Sequence, residues 1–160
     1  MSEPVVPPSA YADLPAEPVE GWKWSQTLLP RPHLLKRIRG ALRKGHVFVE
    51  APGGYGKSTL LQSLVNHLPE SYYLPLTPED CDLAVLQARI EALPTEAAVI
   101  VLDDLQQVEE ADEVIAWLAG RLQLPRPGWV LVGRTIPPVL PAAAMALAPV
   151  CILSAGDLAF

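Results

Sequence analysis

Between His46 and Leu68 the chain reads HVFVEAPGGYGKSTLLQSLVNHL, and no other stretch restricts the possible folds so tightly. Val47, Phe48 and Val49 are strand formers. Gly53, Gly54 and Gly56 then interrupt any regular element, and Leu60, Leu61, Leu64, Val65 and Leu68 recur at helical spacing until Pro69 stops them. Strand, glycine-dense loop and helix, in that order, form the context a phosphate-binding loop requires. The glycines permit positive φ and bring bare backbone N–H groups, that of Tyr55 among them, close to an anion. A helix opening at Lys57 aims the positive end of its dipole at the same point. Lys57 adds a mobile charge for β- and γ-phosphates, the Ser58 hydroxyl can ligate Mg²⁺, and Thr59 can reach an α-phosphate. Ala51 stands where such motifs carry their first glycine. The plainer alternative is a Gly/Pro turn that happens to contain Lys-Ser, and the periodicity on both sides argues against it.

A phosphate-binding loop of this type sits at the edge of a parallel sheet, and the remaining sequence has the alternation such a sheet needs. Ser71–Leu76 reads as a short strand. Thr77-Pro-Glu-Asp reads as a helix start with acidic first-turn residues, and Leu83, Leu86, Ile90 and Leu93 share one face before Pro94. Ala97–Leu102 is apolar on both faces, as in a buried parallel strand. A helix is expected over Ala111–Leu122, a strand over Trp129–Gly133, a small Ala-rich helix after Pro137-Pro138, and a last strand over Val150–Leu153. Upstream, Pro32 suits a helix's first turn, Leu34, Leu35, Ile38 and Leu42 form a stripe, and Gly45 can close the helix. Residues 1–21, rich in Pro, Ala and Glu, read as a flexible leader, with one folded domain over 22–160 beginning near Trp22 and Trp24.

Charge and cysteine content narrow the setting. A formal net charge of −6 argues against nucleic-acid binding through phosphate contacts by this chain alone. Half of its Lys and Arg residues (Arg31, Lys36, Arg37, Arg39, Arg43 and Lys44) lie on or beside the first helix. They read either as a solvated outer face or as a surface for an acidic partner. Cys81 and Cys151 are lone thiols, fitting a reducing cytoplasm, and no apolar run approaches membrane-spanning length. His33, His46 and His67 lack metal-ligand spacing and read as structural or surface residues.

A magnesium–triphosphate site also needs a carboxylate at the carboxyl edge of a strand. Asp103 follows the run AAVIVL and is placed to hold Mg²⁺ beside Ser58. Asp104, next in the chain, is the candidate for orienting the attacking water. A helix or turn start with solvated carboxylates is the alternative for this pair. Arg134, ending the next strand, is placed to read a γ-phosphate and is the last cation in the chain.

Taken together, LLPRPHLLKRI, APGGYGKSTLL, VIVLDDLQQV, VLVGRTIPP and the closing LSAGDLAF resemble the nucleotide-binding core of the signal-transduction ATPases with numerous domains (STAND), in particular the large LuxR-type and maltose-activator-type transcriptional regulators. The resemblance covers about Trp24 to Phe160. It implies an α/β, three-layer P-loop NTPase fold of the additional-strand class, with a five-stranded parallel sheet in the order 5-1-4-3-2. It implies ATP or ADP with Mg²⁺ at the carboxyl edge, Leu29 and Arg31 near the adenine, and Arg134 as γ-phosphate sensor. Two positions depart from the family: Gln106 stands where histidine is common, and the segment after Pro138 lacks the usual arginines. In the family a helical lid and effector domains follow the core, so the apolar segment Ala142–Ala148, then Cys151–Leu153, is expected either to dock on such domains or on other protomers, or to pack on its own sheet edge. Three functions follow in order of preference: an ATP-driven switch with slow hydrolysis, a non-hydrolysing adenine-nucleotide module, and another P-loop class such as a small-molecule kinase.

Overall fold

A computed structural model of the chain describes residues 32–52, 61, 65–68, 70–154 and 157. The first helix, α1 (Pro32–Leu42), leads through a turn into β1 (Val47–Glu50). Leu61 and residues 65–67 are helical. Next come β2 (Ser71–Pro75), a 3-10 turn (Pro78–Cys81), α2 (Leu83–Glu91), β3 (Val99–Asp103), a second 3-10 turn (Leu105–Val108), α3 (Asp112–Arg121), β4 (Gly128–Gly133), α4 (Val139–Met145) and β5 (Cys151–Ser154). All four strand pairings are parallel, in the order β2-β3-β4-β1-β5. Read from the other edge this is 5-1-4-3-2, the order expected from the sequence.

Apolar residues on both faces of the central strands require a layer on each side, and two cores result. Phe48, Leu74, Ile100, Leu102, Trp129 and Leu131 pack against Leu86 of α2, Val114 and Leu118 of α3, and Leu140 of α4. The alternate residues Val47, Val49, Val99, Val101, Val130 and Val132 pack against the leucine stripe of α1 and against Leu61. The period-2 alternation of a strand thus sorts each side chain to one of two helical layers. The stripe Leu34, Leu35, Ile38 and Leu42 is buried as expected, while Lys36, Arg37, Arg39, Arg43 and Lys44 face solvent. The turn after α1 closes with the Gly45 N–H on the Ala41 carbonyl at 2.9 Å.

The helix expected to start at Thr77 is divided. Asp80 is fully buried, and its Oδ2 accepts the Thr77 N–H at 2.8 Å and a guanidinium N–H of Arg89. Asp82 is extended (φ −85, ψ 114) and its carboxylate caps α2 by accepting the Ala84 N–H at 3.0 Å. Two acidic caps in five residues therefore make a 3-10 turn and a separate helix where periodicity alone predicts one. Leu86 still faces the core, with Leu83, Ile90 and Leu93 at its margin.

His46 joins the start of β1 to the start of β4. It is buried; its Nδ1 accepts the Trp129 N–H at 3.1 Å, so Nε2 carries the proton donated to the Leu124 carbonyl at 3.0 Å. Burial lowers its pKa from the ordinary 6.5, outweighing the backbone contacts that raise it. Among the described residues no helix is long and apolar enough to cross a membrane.

Candidate functional site

The strands present their carboxyl ends on one edge of the sheet, and the described candidate residues meet there. At the end of β1 the Ala51 N–H donates to the Gly133 carbonyl at 3.1 Å, extending the β1·β4 pairing by one step. Ala51 is buried in the core beneath α1, a place with room for a methyl group. The glycine loop follows Pro52 directly. Gly53, Gly54, Tyr55, Gly56, Lys57, Ser58 and Thr59 lie outside the described residues, as do Leu29, Arg31 and the leader 1–21. The chain is described again at Leu61, which is helical and packs in the same core as Val49.

Asp103 closes β3. It pairs in register with Pro75 of β2 and shares its sheet face with Val99 and Val101, the face covered by α1 and Leu61. Only β4 separates β3 from β1, about 10 Å at the usual interstrand spacing. Asp103 is 8% exposed, and its carboxylate is held at both oxygens. Oδ1 accepts the Asp104 N–H at 2.8 Å, and Oδ2 accepts the Tyr73 hydroxyl at 2.6 Å. Burial, then the hydrogen bond to Asp103, raises the Tyr73 phenol above its ordinary range and keeps it a donor.

Asp104 leaves the strand with φ 61 and ψ 46, the left-handed region that Asp enters more readily than most residues. This reversal opens the 3-10 turn Leu105–Val108 and turns the Asp104 side chain out of the strand's alternation. Its Oδ1 accepts Gln106 Nε2–H at 3.2 Å, while Gln106 Oε1 accepts the Arg134 N–H at 3.2 Å. One amide side chain therefore ties the end of β3 to the end of β4. Gly133 allows it: a Cβ there would lie 3.0 Å from Leu105 Cβ and 3.1 Å from Gln106 Oε1. Arg134 itself is exposed at this edge. Nearby, Glu50 Oε2 accepts the Ile136 N–H at 3.3 Å, and the Thr135 hydroxyl donates to Glu109 at 2.9 Å.

The structure thus brings Asp103, Asp104 and Arg134 to one edge. It adds Tyr73, Gln106, Gly133 and Glu50, which sequence reasoning did not place in the site. For Tyr73 the signal existed only in combination. SYYLP alternates, but which tyrosine reaches Asp103 depends on the register of β2 on β3. The donor set suits a divalent cation: two adjacent carboxylates whose described partners are neutral donors, each oxygen keeping lone-pair capacity for a hard ion. Among the described residues no cluster of three or more His, Cys, Asp or Glu forms a self-contained metal site, so a metal here would share its ligands with a bound anion or with the loop.

At the other end of the sheet edge, two residues of the closing LSAGDLAF, Ser154 and Asp157, are joined directly. Asp157 accepts the Ser154 N–H at 2.8 Å and the Ser154 hydroxyl at 3.1 Å, and it pairs with Arg37 of α1 at 3.2 Å. Those contacts, the Ser154 N–H foremost, hold the Asp157 carboxyl below its usual range. One of the basic residues of α1 thereby finds its acidic partner within the chain.

No protein-family model matches the chain, and no curated protein matches it. Solved structures do. Domain III of the replication initiation protein DnaA from Thermotoga maritima is similar over 76% of this chain, with a TM-score of 0.52 and 17% identity. PCH-2 from C. elegans is similar over 83%, with a TM-score of 0.50 and 12% identity. The P-loop NTPase domain of a sigma-54 transport activator from E. coli superposes more loosely, with a TM-score of 0.48 at 17% identity over 76% of this chain and 96% of that one. This chain spans 60% of the DnaA domain and 44% of PCH-2. Sheet order and the likenesses to the DnaA domain and PCH-2 agree on the fold, a parallel α/β sheet with the strand order expected of a P-loop NTPase.

Proposed function

We propose that the chain is a nucleotide-binding P-loop module that takes ATP or ADP with Mg²⁺ and hydrolyses ATP slowly, serving as the switch core of a STAND-type, cytoplasmic signal-transduction or transcriptional regulator. The observation that supports it most is the placement of Asp103. A buried carboxylate stands at the carboxyl edge, one strand away from β1, on the sheet face that carries Leu61. The glycine loop joins β1 to that same helical segment in sequence.

On this reading the backbone amides of Gly53, Gly54, Tyr55 and Gly56 and the Lys57 ammonium hold the phosphates, and Thr59 binds the α-phosphate. Ser58 and Asp103 would hold Mg²⁺, which when bound would supply charge neutralisation for the phosphates. Asp104 accepts a hydrogen bond from the attacking water and orients it in line. Arg134 senses the γ-phosphate from the end of β4, and the Asp104–Gln106–Arg134 chain couples the sensor to the water-orienting carboxylate. Leu29 and Arg31 flank the adenine. Residues 1–21 form a leader to the folded domain 22–160, and lid or effector domains, or other protomers, are its docking partners. Acting as a switch from 1:99 to 99:1 needs about 5.5 kcal/mol of differential binding, to which γ-phosphate contacts of Arg134 contribute.

Single-turnover hydrolysis of ATP tests the catalytic part. Wild type should release phosphate at a slow, Mg²⁺-dependent rate, and Asp104→Asn should bind ATP normally while hydrolysing about 100-fold or more slowly. An unchanged rate in that variant would remove Asp104 from the chemistry. One observation favours a second reading, a non-hydrolysing nucleotide module: the short Asp104 side chain is already engaged by Gln106. Binding without measurable turnover in wild type would select it.

A further inference from the structure

We infer that Tyr73 is the positioning residue for the Asp103 carboxylate, setting how tightly the site takes a divalent cation; this rests on the nucleotide–Mg²⁺ reading above. Tyr73 lies on β2, the edge strand farthest from β1, and is 45% exposed. A large aromatic left that open contributes less to the core than its size allows. What it does make is a 2.6 Å hydrogen bond from its hydroxyl to Asp103 Oδ2. In the β2·β3 register Tyr73 is level with Val101, two residues before Asp103, so both side chains emerge on one face and meet diagonally.

The Asp104 N–H fixes Oδ1 from within the chain, and the Tyr73 hydroxyl fixes Oδ2 from the neighbouring strand. With both oxygens held, the carboxylate plane is set before any cation arrives, and each oxygen retains a lone pair for the ion. A carboxylate so held loses less orientational freedom on binding a metal. Hydrogen bonds of this outer kind are worth about 10–100-fold in metal affinity. Tyr73 therefore acts on the cation through Asp103, without contact to nucleotide.

The test is calorimetric titration of ATP into the full chain with excess Mg²⁺ and again with EDTA, for wild type, Tyr73→Phe and Asp103→Asn. Wild type should bind ATP more tightly with Mg²⁺, and Asp103→Asn should lose that enhancement. Tyr73→Phe keeps the ring and removes only the hydroxyl. It should reduce the enhancement about 10-fold or more while leaving the EDTA affinity unchanged. Electron paramagnetic resonance of Mn²⁺ with ADP gives a second readout, and Tyr73→Phe should weaken Mn²⁺ uptake by the same factor. An undiminished enhancement in Tyr73→Phe overturns the inference, as does an equal loss with Mg²⁺ and with EDTA, which marks a structural role alone. Absence of any ATP binding by folded wild type would instead overturn the nucleotide reading itself, and this inference with it.

Discussion

Asp104 shows how one residue carries both a chemical and a conformational demand. Its φ of 61 costs most L residues about 1–2 kcal/mol, and Asp or Asn less. Asp104→Asn should therefore leave the denaturation midpoint nearly unchanged, whereas Asp104→Ala should be less stable by about 1 kcal/mol. Equal stabilities in urea unfolding would contradict the left-handed assignment. The acidic pair was legible in the sequence, because four strand-forming residues end in Asp103-Asp104. The left-handed turn and the Gln106 bridge were not, since both depend on β4 arriving alongside. His46 makes a separate prediction. Buried and neutral in the folded chain, it has a pKa below its unfolded value of 6.5, so the unfolded chain binds more protons as pH falls through that value. Stability should be full above about pH 7 and decline below about 6.5. A His46→Gln variant should lose that part of the slope in unfolding measured from pH 8 to pH 5.

Elements meet at the site through two tight junctions. The first is Gly133 of β4 against Leu105 and Gln106: a methyl group there has 3.0 Å to the nearest carbon. Gly133→Ala should destabilise the fold by about 1–3 kcal/mol and displace the Gln106 bridge, lowering ATP turnover together with stability. The second is the half-buried Asp80–Arg89 pair, which anchors α2 to the end of β2, where Arg89 Nη2 also donates to the Pro75 carbonyl at 3.1 Å. Asp80 is wholly enclosed, so Arg89→Met would leave its carboxylate with the Thr77 donors but no countercharge and should cost about 2–4 kcal/mol. Chemical denaturation measures it, and a loss below 1 kcal/mol would contradict the burial. The helix boundary here was misplaced by periodicity because Thr77-Pro-Glu-Asp satisfies a capping pattern that the chain spends on a 3-10 turn. The strands were read to within two residues at either end; the central three, buried on both faces, leave unbroken apolar runs.

At the scale of the whole molecule, strand order decides which residues can share a site. Placing β4 between β3 and β1 brings Asp103, Arg134 and the root of the glycine loop to one edge, and the two cores assign Asp103 to the face of α1 and Leu61. The order itself rested on likeness to a family, for hydrophobic patterning marks strands as buried and does not rank them. Side-chain partners across strands, Tyr73 with Asp103 above all, follow from register, which a single sequence does not display. The central claim is convergence of the loop 53–58 and the Asp103 edge on one metal-bound polyphosphate. Calorimetry of ATP with Mg²⁺ on wild type and Lys57→Ala addresses it most directly. One saturable site is expected in wild type, with affinity lost in Lys57→Ala; no heat of association from folded wild type, or binding indifferent to Lys57, would rule the convergence out.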